Sequence, residues 1–205
     1  MRGRFITLEG PEGAGKSTLA KSLAEMMRTR GIDVLQTREP GDGPTGPAIR
    51  QALLQGGDLD HWTELFLFLA DRSQHCEQLI GPALHKGDWV LCDRFADSTV
   101  VYQGHARGLN IEQLRELNQM ATRGLEPHLT LLLDIDPVEG LARIQDKDRL
   151  DREPIEFHAR VRAGFLKEAE RDPERWRVLD ASLCQAELLD EAWYHVHQLI
   201  GMVRS

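Results

Sequence analysis

The string Gly10-Pro11-Glu12-Gly13-Ala14-Gly15-Lys16-Ser17 matches GxxxxGK[ST] at every fixed position. Its neighbours make it a constraint on folding. An apolar run at 4–9 precedes it, and the stretch 16–30 that follows repeats Leu19, Leu23, Met26 and Met27 at helical spacing before Gly31 ends it. The order is strand, glycine loop, helix. Glycines let successive backbone N–H groups converge on an anion without a Cβ in the way, and the helix N-terminus adds its positive dipole end. Residues Gly10, Pro11, Glu12, Gly13, Ala14, Gly15, Lys16, Ser17 and Thr18 are therefore expected to hold a nucleoside triphosphate. Lys16 should reach its β- and γ-phosphates and Ser17 should ligate Mg²⁺.

The remaining chain keeps the same alternation. Compact apolar runs at 33–37, 89–93, 129–134 and 176–180 read as strands covered on both faces. Helical spacing appears at 62–84, 111–122, 137–144, 155–169 and 186–203. This predicts an α/β fold of the three-layer P-loop NTPase type. Its doubly wound parallel sheet would have five strands with helices on both faces. Ligands of such sheets sit beyond the carboxyl ends of the strands. No repeat, low-complexity tract or linker divides residues 1–205, so one domain is expected; 41–47 is a glycine-rich loop and 146–156 is irregular and charge-dense.

Composition narrows the function. The net charge of −8 argues against a nucleic-acid polymer or an anionic membrane as partner, though not against a small anion held by a few arginines. Cys76, Cys92 and Cys184 are widely spaced with no CxxC pair, which disfavours a disulfide framework or zinc site. With no long apolar run and no signal-peptide core, a cytoplasmic setting is expected. A GTPase switch would need NKxD after a late strand; Gln145-Asp146-Lys147-Asp148 lacks the Asn and follows a helical segment. A motor ATPase would need more chain. Small-molecule phosphoryl transfer leads.

Three further constellations fall at strand ends. Thr37-Arg38-Glu39-Pro40-Gly41 follows the second strand, with a turn at Pro40-Gly41 and a helix expected around Arg50. Phe68 and Arg72 are four apart on one helical face, offering a stacking ring beside a hydrogen-bonding fork. Taken alone, a surface Arg50 and a core Phe68 beside an exposed Arg72 are the simpler accounts. Asp93 and Arg94 end the third strand, suited to a metal-side carboxylate and a bidentate phosphate clamp, and Ser98, Thr99, Tyr102 and Gln103 follow.

Together these strings resemble the thymidylate kinase family, in its bacterial branch. The matches are Glu9 to Thr18 (EGPEGAGKST), Thr37 to Gly41 (TREPG), Ala70 to His75 (ADRSQH), Asp93-Arg94-Phe95, Tyr102-Gln103 with Gly108-Leu109, and Leu150-Asp151-Arg152. TREPG, then DRF, then YQG in that order over most of the chain is far more specific than the glycine loop alone. The resemblance implies transfer of the γ-phosphoryl group of ATP to dTMP, giving dTDP and ADP, with Mg²⁺ at Ser17 and Asp93. It implies an acceptor site of Glu12, Arg38, Glu39, Pro40, Arg50, Phe68, Arg72, Arg94, Ser98, Thr99, Tyr102 and Gln103. Within it, Glu12 approaches the sugar 3′-hydroxyl, Phe68 stacks on thymine, and Arg72 bonds a base carbonyl. Arg94 and Arg50 take the phosphate, and Tyr102 crowds the 2′ position.

One branch of the family carries an arginine inside the glycine loop. Gly13 stands there in this chain, so the resemblance moves the catalytic arginine to a lid at about 143–156, alongside catalytic Lys16, Arg94 and Glu12. Arg152, in Leu-Asp-Arg, matches best and Arg149 is the alternative; Arg143 and Lys147 are also basic there. The chain departs from the family at Gly41-Asp42-Gly43-Pro44-Thr45 and Gly46-Pro47, and in the acidic residues Asp146, Asp148 and Asp151 of the lid. A homodimer is the family expectation. Another nucleotide or nucleoside kinase, or a silent ATP-binding module, are the competing readings.

Overall fold

A computed structural model describes residues 3–201. Five strands, β1 (Phe5–Glu9), β2 (Val34–Arg38), β3 (Trp89–Asp93), β4 (Leu129–Asp134) and β5 (Trp176–Asp180), form one parallel sheet in the order β2-β3-β1-β4-β5. All five predicted strands are present, each within a residue of its expected bounds. Leu8 lies beside Asp93, Glu9 beside Leu132, and Arg38 beside Asp93, so the tips Glu9, Arg38 and Asp93 share one edge.

Strand side chains alternate between two apolar layers, as the period of two requires. Ile6, Leu8, Leu91, Leu131 and Leu133 face α1 (Lys16–Thr29) and α9 (Gln185–Gly201). On the other side, Leu132 joins the cluster of α8 (Ile155–Arg171), and Phe5, Val90 and Cys92 pack with Cys76, Ile80 and Phe95. On this second side, the paired residues Thr7 and Thr130 bring their hydroxyls to 2.9 Å. Residues 202–203, predicted as the end of the last helix, lie outside the described residues.

The helices refine the expectation. α2 (Gly46–Gln55) begins a turn before Arg50, with Pro47 in its first turn. The long helix predicted at 62–84 is α3 (His61–His75) and α4 (Gly81–Lys86) joined by a π-helical turn, Cys76–Ile80. Asp60 caps α3 by accepting from the N–H groups of Trp62 and Thr63. A short helix α5 (Ala96–Thr99) runs into a second π-helical segment, Val100–Ala106, a region without a helical expectation. α6 (Ile111–Thr122) and α7 (Pro137–Ala142) complete the set. No described helix is long and apolar enough to cross a membrane.

Candidate active site

The glycine loop wraps the tip of β1 and is held by contacts that forbid a side chain. A Cβ at Gly10 would lie 2.4 Å from the Leu133 carbonyl oxygen, and one at Gly13 only 1.9 Å from the Gly140 carbonyl of α7. Gly10 and Gly13 have φ of +144° and +69°. An arginine at position 13 is therefore excluded by α7 as well as by the backbone. Lys16 donates to the carbonyls of Gly10 (2.9 Å) and Pro11 (2.6 Å), and Ser17 donates to Asp93 at 2.5 Å. Burial and the nearby Arg94 pull the Lys16 ammonium down to about 8.

Two openings flank this loop. The first is lined by all twelve residues expected at the acceptor site, with Lys16, Ser17 and Asp93 beside them. The second is lined by Gly13, Ala14, Gly15, Lys16, Ser17 and Thr18, with Arg143 and Ala181 across from them. Gly13, Lys16 and Ser17 belong to both. Gly10 and Pro11 line neither and instead supply the carbonyls that hold Lys16.

Arg94 sits at the β3 tip in the left-handed region, with φ of +69°. Its neighbours fix that turn. Phe95 N–H donates to Glu9 at 2.8 Å, Ser98 donates to Glu9 at 2.6 Å, and the Arg94 N–H donates to Leu8. Burial, reinforced by Asp97, pushes the Glu9 carboxyl up to about 7. The Arg94 guanidinium reaches the Gly10 carbonyl, Ser98 and Glu12, and lies 5.1 Å over the Tyr102 ring. Glu12 also accepts from the Tyr102 hydroxyl and lies 3.3 Å from His158 Nδ1. Burial opposes ionisation of Glu12, but His158, Arg94, Lys16 and Tyr102 outweigh it and hold the carboxyl at about 2.

Arg72 is fully buried, contrary to the simpler account of an exposed arginine. Its Nε donates to Glu39 (2.8 Å), Nη1 to Thr99 (2.8 Å) and Asn118 (2.7 Å), and Nη2 to the Phe95 carbonyl (3.0 Å). Four of five N–H groups are thus engaged, leaving one on Nη2 of a residue that lines the first opening. Glu39 follows β2, is joined by a cis peptide to Pro40, and is also bonded to His75 at 2.9 Å. Arg50 is likewise not a surface residue in isolation: it lines the first opening and donates to the Pro40 carbonyl at 2.7 Å.

The 143–156 segment divides its basic residues. Arg149 points away from the opening, donating to the Leu53 carbonyl (2.9 Å) and pairing with buried Glu64. Arg152 is exposed beside the end of α2 and forms no hydrogen bond or ion pair among the described residues. Arg143 donates to the Ala181 carbonyl at 3.0 Å, beside the second opening. The interleaved acids have a local reason. Asp148 accepts from the N–H groups of Leu150 and Asp151, and Asp151 accepts from that of Asp148, a reciprocal turn that sets Asp148, Leu150 and Asp151 against the first opening. These three, with Leu54 and Phe95, are lining residues the sequence reading missed; the D-x-x-D spacing was the available signal.

A thymidylate kinase family model matches residues 8–192. The chain is 48% identical over 189 residues to the thymidylate kinase of Synechococcus sp. (strain JA-2-3B'a(2-13)), covering 92% of each. It is 48% identical over 200 residues to that of Thermomicrobium roseum, covering 96% of this chain and 95% of that one. The crystal structure of thymidylate kinase from Ehrlichia chaffeensis superposes with a TM-score of 0.74 at 34% identity, over 87% of this chain and 93% of that one.

Proposed function

Since this chain belongs to the thymidylate kinase family, we propose that its two openings hold ATP and dTMP on either side of one loop, with Lys16 between them. The protein is an ATP-dependent nucleotide kinase that converts dTMP to dTDP. What carries the site assignment is the sharing of Gly13, Lys16 and Ser17 by both openings. Two nucleotides bound there would bring the γ-phosphoryl group of one to the phosphate of the other.

In this reading, one dTMP phosphate oxygen attacks the γ-phosphorus in line and ADP leaves. The work of the chain is positioning and charge neutralisation. Phe68 stacks on the base, the remaining Arg72 N–H meets a base carbonyl, and Ser98, Thr99 and Gln103 complete its edge. Tyr102 crowds the 2′ position. Arg94 and Arg50 hold the acceptor phosphate, with Arg38, Glu39 and Pro40 forming that wall. Glu12, ionised with its carboxyl held at about 2, accepts from the 3′-hydroxyl and fixes Arg94; such a weak base orients and does not take a proton.

Ser17 and Asp93 offer adjacent hydroxyl and carboxylate oxygens beside the phosphate loop, hard donors that suit Mg²⁺ completed by phosphates and water. Bound there, Mg²⁺ would supply charge neutralisation on the transferring phosphates. The segment 143–156 acts as the lid of this one-domain protein. Arg152 is its catalytic arginine, because Arg149 is tied to Glu64 whereas Arg152 is exposed and has no partner among the described residues. A cytoplasmic homodimer completes the reading. Trp62 and Phe66, exposed on α3 with ring centroids 5.9 Å apart, offer a surface for a second copy.

A coupled ADP-release assay across dTMP, dUMP, UMP, CMP and AMP tests this, with strong turnover expected for dTMP. Phosphorylation of UMP or AMP without dTMP turnover would overturn it.

A further inference from the structure

We propose that Glu64 is a positioning residue for base recognition, fixing the Gln103 side chain with its carbonyl oxygen, rather than its amide nitrogen, toward the acceptor base. Glu64 lies in the first turn of α3 and is 1% exposed. A carboxylate so buried requires donors, and three side chains supply them. Gln103 Nε2 donates to it at 2.8 Å, Arg107 approaches through Nη2 at 3.3 Å, and Arg149 pairs with it from the lid. Burial works against ionisation, but Gln103, Arg149 and Arg107 outweigh it, keeping the carboxyl below its ordinary range.

An ionised carboxylate only accepts hydrogen bonds. Gln103 must therefore turn its NH₂ to Glu64, which leaves its carbonyl oxygen without a protein partner among the described residues, on a residue lining the first opening. Arg72, which lines the same opening, has one N–H left over. One fixed acceptor and one fixed donor match a pyrimidine with a protonated N3 and a 4-oxo group. The same pair opposes a 4-amino pyrimidine, whose N3 accepts and whose exocyclic group donates. Glu64, Phe68 and Arg72 are spaced i, i+4 and i+8, so a single face of α3 carries the orienting carboxylate, the ring and the fork.

The inference rests on dTMP stacking at Phe68, and the test separates the two. Isothermal titration compares dTMP with 5-methyl-dCMP, which differs only at the N3 and C4 positions of the base. Wild type should prefer dTMP. Glu64→Gln, which can donate as well as accept, releases the Gln103 amide. The preference should fall about tenfold, the worth of one misdirected hydrogen bond, with ATP affinity unchanged. Should Glu64→Gln alone not fold, Glu64→Gln with Arg149→Met, which removes an arginine left without its charged partner, carries the same expectation. Wild type that does not prefer dTMP refutes the acceptor assignment itself. A wild-type preference retained within about twofold in the folded variant overturns the role of Glu64.

Discussion

Replacing Arg72 by Met separates its role in the fold from the role proposed for it at the acceptor. The side chains of Arg72 and Glu39 are 1% and 2% exposed, so the pair is removed from water almost entirely. Met fills much of the stem's volume but supplies none of the four hydrogen bonds. Glu39 would keep only His75, and the Phe95 carbonyl and the Asn118 oxygen would each lose a donor. Breaking a buried pair from one side costs about 3–5 kcal/mol, because the partner's charge stays buried. For a chain of this size that is roughly 6–20 °C in melting temperature. Urea denaturation should show a lower midpoint at an unchanged slope, and dTMP binding should weaken together with stability. The double variant Arg72→Met, Glu39→Gln should recover part of the stability, since no lone charge remains, while dTMP affinity stays low. A stability loss of less than about 0.5 kcal/mol in the single variant, the range of an unremarkable surface substitution, would refute the reasoning that this network holds the fold.

Three further outcomes are expected. Phe68→Ala should raise the KM for dTMP by about 5–150-fold, as loss of roughly 1–3 kcal/mol of stacking implies, and leave ATP binding near wild type; equal loss of ATP affinity in titration would contradict the stacking role. Arg152→Ala should lower kcat by about 10³–10⁵ with small changes in KM, whereas Arg149→Ala should mainly weaken dTMP binding and loosen the lid. Steady-state kinetics showing the reverse ranking would exchange their roles. Lys16, with its ammonium drawn down to about 8 by burial and Arg94, is charged below that pH and neutral above it. ATP affinity of the free protein should therefore fall as pH rises from about 7 to 9, with proton uptake on binding near pH 8.5; a flat profile in calorimetry would count against it.

Much of the site was legible because chemistry at a strand tip is written in consecutive residues. A strand followed by Gly10 to Ser17 and a helix folds one way, and Asp93-Arg94 after an apolar run can only emerge at the sheet edge. Of the twelve residues expected at the acceptor site, Glu12, Arg38, Glu39, Pro40 and Arg94 line the first opening for that reason, while Arg50, Phe68, Arg72, Ser98, Thr99, Tyr102 and Gln103 reach it from helices. The segment after Arg94 was not legible as helix. Its turn depends on Glu9, a strand residue 86 positions away whose carboxylate takes the Phe95 N–H.

The sequence alone determined the phosphate loop, the five parallel strands and the family, since each depends on local order and hydrophobic period. Tertiary structure decided what no local pattern encodes. Among these are that Gly13 faces the Gly140 carbonyl and so admits no arginine, and that Arg72 is buried with a single N–H to spare. It also decided that Arg149 is committed to Glu64 while Arg152 stays exposed. In each case the deciding partner lies far along the chain, and only packing brings the two groups within hydrogen-bond or van der Waals reach.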